Sequence, residues 1–352
     1  MKSSAYLPLL DVLRGEVVES IHFGAIAVVD AAGSLLAWYG DPDVVTFTRS
    51  SAKPFQALPL MENGGQAFYR LSAKEVALIC ASHSGTDEHV QTLKIIQSKT
   101  GVKEEELLCG VHDPYHAPTL EAMRARGEKA TANRNNCSGK HTGMLAYAHM
   151  LNLEPNPKLT YLDYDHPVQQ NILRAVAEMS DIAPEQIKIG IDGCSAPVFA
   201  LPLRNAALAY ARLCDPADLP PARAVACRAI YAAMTSNPLM VGGPESFDTR
   251  LMQAAEGSLL CKGGAEGYLA MGLPPGTLGS GSRGVGIVLK VADGDLTGRA
   301  RPAVALEVLR QLNAVKPQVL TKLVEYGPQF IVYNRRHLAV GRVRPSFTLE
   351  RA

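Results

Sequence analysis

Strand-like segments lie at both ends of the chain and helical spacing fills its middle. This ordering restricts the fold more than any other feature. Residues 16–39 read as a hairpin, "VVESIHFGAIAVVD", a turn at "AAGS", then "LLAWYG". From Phe330, "FIVYNRRHLAVGRVRP" reads as two more short strands. Further strand-like runs fall at 186–192, 257–262 and 284–293. Between them, Ser72 and Glu75 form a capping box that opens a helix through "EVALICAS", and a second helix runs from Thr86 to Gly101. Helical patterns continue at 118–126, 141–152, 166–180, 203–214, 221–235, 247–256, 299–312 and 316–326. The expectation is an α+β fold, one antiparallel sheet formed with both chain termini and covered by helices. Without repeats or a clear linker, residues 1–352 read as a single unit, with a helical subdomain within about 66–240.

Bulk properties narrow the partner. A net charge of +1 with no basic, aromatic-interleaved stripe argues against nucleic acid. No window approaches the roughly 18 apolar residues of a membrane span, and "MKSSAYLPLLDVLRGEVVES" lacks the apolar core of a signal peptide. Seven scattered cysteines in 352 residues do not read as a disulfide framework, which points to the cytoplasm. Cys80, Cys214 and Cys227 sit in apolar helical patterns as core fillers. A small molecule is the expected partner.

"TRSSAKPFQALPLMENGG" holds a Ser-x-x-Lys, Ser50 to Lys53, at the expected start of a helix. Residues three apart share a helix face, and a serine hydroxyl attacks carbonyl carbon only with a base in hydrogen-bond reach. Lysine serves as that base in its uncharged form, which burial favours. Ser50 is placed as N-cap, with Pro54 in the first turn. The bland alternative is a capped turn with a surface lysine. "CASHSGTDEH" adds Ser82 and His83, and "LLCKGGAEGY" places Lys262 at a strand end before two glycines. A second serine and a strand lysine partly match the three-part set of penicillin-type serine hydrolases. "TANRNNCSGKHTG" and "GIDGCSAP" supply Cys137 and Cys194, two thiols able to hold zinc with Lys140, His141 or Asp192, or else to form a buried thiol pair. "GSGSRG" precedes a strand, so it marks no dinucleotide site.

"RSSAKPFQ", "CASHSG", "NNCSGKH", "GIDGCSAP" and "CKGGAEGY", in this order, resemble the rhizobial-type L-asparaginases, the asparaginase II family. The resemblance covers nearly the whole chain. It implies the serine β-lactamase and glutaminase fold and two Ser-Lys tandems, Ser50 with Lys53 and Ser82 with Lys262. It also implies a zinc ion on Cys137, Lys140 and Cys194, with Arg49, His83 and Asp192 at the substrate, and a homodimer. The implied reaction is hydrolysis of L-asparagine. A glutaminase or penicillin-type hydrolase is the enzymatic alternative, and a non-catalytic zinc- or amino-acid-binding protein the alternative of another class.

Overall fold

Strand Val17–Asp30 is the spine of a nine-stranded sheet. One edge pairs with Leu7–Arg14 and then Leu35–Tyr39, and the other with Val285–Val291, all antiparallel. Outward from it the order runs to Ala339–Pro345 and Phe330–Tyr333 on one side, and to Tyr268–Leu273 and Leu260–Gly263 on the other. Leu7–Arg14 pairs with Ala339–Pro345, so the first and last parts of the chain do share the sheet. The hairpin and the terminal strand pair are therefore as expected. Leu7–Arg14 is an addition. Register shifts after Pro8 and Val12 break its alternation, burying Leu9 with Leu10 and Val12 with Leu13.

This computed structural model describes residues 5–352, which divide into two compact units. Among the described residues the sheet unit comprises 5–51, Leu201–Asp215 and Ala254–Ala352. Helix Leu203–Cys214 packs on its sheet with backbone against backbone. A Cβ added at Gly286 would lie 1.7 Å from the Ala207 carbonyl oxygen, so only glycine admits the helix that close.

The helical unit comprises Ala52–Ala200 and Pro216–Gln253. Helix Lys53–Glu62 is its centre, packed against Ser138–Met150, Pro167–Ser180 and Pro221–Ser236. Every residue from Lys53 to Met61 is buried, as an all-round core helix requires. The short strands Lys188–Ile191 and Pro197–Pro202 pair through a tight turn at residues 192–196.

Several boundaries differ from expectation. The helix expected at 141–152 starts at Ser138, because its polar, glycine-bearing first turn hides the period. Only Pro317–Thr321 is helical in the stretch 316–326. Ser50 is no N-cap: it lies in a 3-10 turn, Arg49–Ala52, and the helix begins at Lys53 behind Ala52. Arg49 enters that turn with φ 50°, a left-handed conformation that sets the turn apart from the helix.

Candidate active site

Lys53 opens the central helix with 1% of its surface exposed. Its Nζ lies 2.6 Å from the Ala81 carbonyl, 2.9 Å from Ser82 Oγ and 3.3 Å from the Asn136 carbonyl. Ser82 reaches this position because helix Ala73–Ile79 ends just before it, and its N–H donates to the Val241 carbonyl at 2.9 Å. Lys53 and Ser82 thus come together across 29 residues of chain.

Arg49, Ser50 and Lys262 belong to the sheet unit. Ser51 Oγ donates to the Thr48 carbonyl at 2.7 Å, and Tyr210 OH donates to the Ser51 carbonyl at 2.7 Å, which anchors the turn carrying Ser50. Lys262 is buried at the end of strand Leu260–Gly263, its Nζ donating to the Gly263 carbonyl at 2.8 Å. The glycines after it meet the serine turn: a Cβ on Gly264 would stand 2.8 Å from the Thr48 carbonyl oxygen and 3.3 Å from Arg49 Cβ. The segments of Ser50 and Lys262 are therefore packed together.

Lys140 Nζ donates to Cys194 Sγ at 3.0 Å, and Cys194 in turn hydrogen-bonds Cys137. Cys137 caps helix Ser138–Met150, while the turn at residues 192–196 delivers Cys194. All three side chains are buried. The hydrogen bond from Cys194 holds the Cys137 thiol well below its ordinary range, against burial and helped by Lys53 and Lys140. Cys194, as the sharing partner, is pushed up. Burial alone would lower Lys140, but Cys137, Cys194 and Asp192 outweigh it and its pKa is raised. Asp192 is half-buried at the head of the Cys194 turn. Among the described residues no three His, Cys, Asp or Glu groups cluster as a metal site. Two sulfurs and one amine nitrogen nonetheless form a donor set that suits zinc in kind.

His83 is fully buried and both its ring nitrogens are engaged. Nδ1 accepts from the Gly85 N–H at 3.2 Å, so Nε2 carries the proton and donates to Ser138 Oγ at 2.9 Å. His89 stacks on it, with centroids 4.9 Å apart. Burial, then His89 and Lys53, keep His83 neutral. His83 therefore stands behind Ser138. The motifs gave no sign of His112, which holds the Asn136 end of this cluster at 2.9 Å. Its partner lies 24 residues away, and no local spacing encodes that contact.

Residues 10–345 match the family described as L-asparaginase II. No individually curated protein matches the chain. Among solved structures it is similar to a Bacillus subtilis glutaminase in covalent complex with 5-oxo-L-norleucine, at 15% identity and TM-score 0.38, covering 86% of this chain and 88% of that one. A Bacillus glutaminase determined in 4.3 M NaCl matches at 14% identity and TM-score 0.37, over 83% and 91% of the two chains.

Proposed function

From the premise that the chain belongs to the L-asparaginase II family, an amidohydrolase family, we propose that it hydrolyses the side-chain amide of L-asparagine to L-aspartate and ammonia. The observation that carries this reading is the Lys53 amine, buried with a serine hydroxyl at 2.9 Å. Lys53 Nζ donates to the Ala81 and Asn136 carbonyls and to Ser82 Oγ, which puts the amine within proton-transfer reach of that hydroxyl.

Ser50 is the proposed nucleophile and Lys53, three residues on, its base. Ser50 Oγ attacks the amide carbon as its proton passes to Lys53 Nζ, and ammonia leaves with a returned proton. Water then cleaves the β-acyl-enzyme. Ser82 and Lys262 relay protons. Arg49 is assigned to the α-carboxylate, which a guanidinium binds in bidentate fashion, and Asp192 to the substrate end near Lys140. Cys137, Lys140 and Cys194 would hold zinc, which when bound supplies a fixed positive charge at that end. Binding it requires Cys194 and Lys140 to lose their protons.

A second reading, with Ser82 as the nucleophile, is favoured by its contact with Lys53. Ammonia release and peptide mass spectrometry of the trapped acyl-enzyme test both. Ser50→Ala should lower turnover by about 10³-fold or more, with the acyl group absent. Wild-type turnover in Ser50→Ala, with the adduct on Ser82, would transfer the role to Ser82. Full activity in both Ser50→Ala and Ser82→Ala would sink the serine mechanism. Asparagine and glutamine differ by one methylene, worth only about 1–3 kcal/mol to a pocket, so both belong in the assay.

A further inference from the structure

Tyr268 opens strand Tyr268–Leu273 with 1% of its surface exposed. Its backbone is pinned: the carbonyl accepts from the Gly264 N–H at 2.8 Å and from Arg301 Nη1 at 3.3 Å. Arg301 Nη1 also donates to the Gly264 carbonyl at 2.6 Å, which ties both ends of the glycine-rich turn to one guanidinium. The phenol is not pinned. Among the described residues no hydrogen bond closes on its oxygen, although that oxygen is shut off from water. Burial raises its pKa, so the phenol keeps its proton and has an O–H to give. The group it faces is Ser51. Ser51 Oγ already gives its own proton to the Thr48 carbonyl at 2.7 Å, and its lone pairs can still accept.

A buried O–H without an acceptor destabilises a fold, and a phenylalanine ring of the same shape would avoid that loss. Packing therefore gives no reason for the oxygen. Its place does. Ser51 belongs to the turn Arg49–Ala52, which also carries Ser50. The Ser51 hydroxyl and N–H both donate to the Thr48 carbonyl, and Tyr210 OH donates to the Ser51 carbonyl. These bonds direct the Ser51 hydroxyl and, through the shared backbone, its neighbour. We propose that Tyr268 is a positioning residue for Ser50: its O–H closes on Ser51 Oγ as Ser50 attacks, and the bond holds the serine turn in the attacking geometry. Because the bond is open in the free protein, its formation favours the attacking state over the resting one. A bond made equally in both would leave the barrier unchanged. Arg301 and the Gly264 N–H fix the backbone of Tyr268, so the turn is the part that moves.

This inference rests on Ser50 as the nucleophile of the proposed reaction, so it is read in two ways, one of which needs no amide. Tyr268→Phe, Ser51→Ala and the double variant are compared with wild type as full-length proteins. Tyr268→Phe should melt at or above the wild-type Tm. Its kcat for asparagine should fall about tenfold with KM nearly unchanged, as expected when a bond made only during attack is lost. Labelling of Ser50 by a fluorophosphonate, located by peptide mass spectrometry, should slow by a similar factor. Once Ser51 is alanine the acceptor is gone, and Tyr268→Phe should add nothing further. Wild-type kcat and labelling in Tyr268→Phe overturn the inference, as does a Tyr268→Phe loss that persists in full on Ser51→Ala. A lowered Tm, with activity falling only in step with folded protein, assigns the phenol to the fold and also overturns it. A label on Ser82 instead, at a rate indifferent to Tyr268, does the same and moves the nucleophile. If wild type releases no ammonia while labelling of Ser50 still slows in Tyr268→Phe, the positioning role stands and the amidohydrolase reading falls.

Discussion

A lysine or histidine withdrawn from water needs every polar atom answered by protein. Lys53 and Lys262 answer with backbone carbonyls, and Lys140 with a sulfur. Buried His83 and His89 answer by staying neutral. His89 accepts from the Thr86 N–H at Nδ1 and donates from Nε2 to the Leu239 carbonyl, and burial lowers its pKa to about 4. In the unfolded chain it takes up its proton near 6.5. Between those values the unfolded state binds more protons. This group therefore leaves stability untouched above about pH 6.5 and subtracts up to about 3 kcal/mol as pH falls to about 4. His83 shifts the same way and deepens the loss. Thermal melts should show Tm dropping steadily across that window. A flat profile in wild type would mean that the imidazoles are already charged in the fold, and His89→Gln should shrink the drop.

At the scale of elements, helix ends were the best-marked features. Ser72 Oγ accepts from the Glu75 N–H at 3.3 Å and Glu75 accepts from the Ser72 N–H at 3.1 Å, the box read from the residues themselves. Thr86 and Gly101 bound their helix as expected. Ser72→Ala should reduce unfolding free energy by about 1 kcal/mol, measured by urea denaturation, with little change in m. A loss of several kcal/mol would show that Ser72 supports more than its helix. Strand Tyr268–Leu273 was not legible. Buried along its whole length, it has no alternation, and it follows a glycine-rich stretch that reads as loop.

Across the whole chain, the sheet unit depends on distant segments meeting. Val17–Asp30 pairs with Val285–Val291, and helix Leu203–Cys214 crosses Gly286 without room for a methyl group. Gly286→Ala should push the helix from the sheet and either lower Tm by several degrees or leave the protein insoluble. Wild-type Tm would mean that the helix can shift freely.

The residues alone determined which chemical groups this chain has and the local signals that shape them: caps, turns, the α+β order and the motifs of the L-asparaginase II family. These are legible because capping and periodicity act within a few residues. Only tertiary structure decided the partners. Lys53 meets Ser82 across 29 residues, Lys140 meets Cys194 across 54, and His112 meets Asn136 across 24. Each contact exists because packed helices and tight turns bring remote backbone together, and burial then leaves those groups no solvent to choose instead.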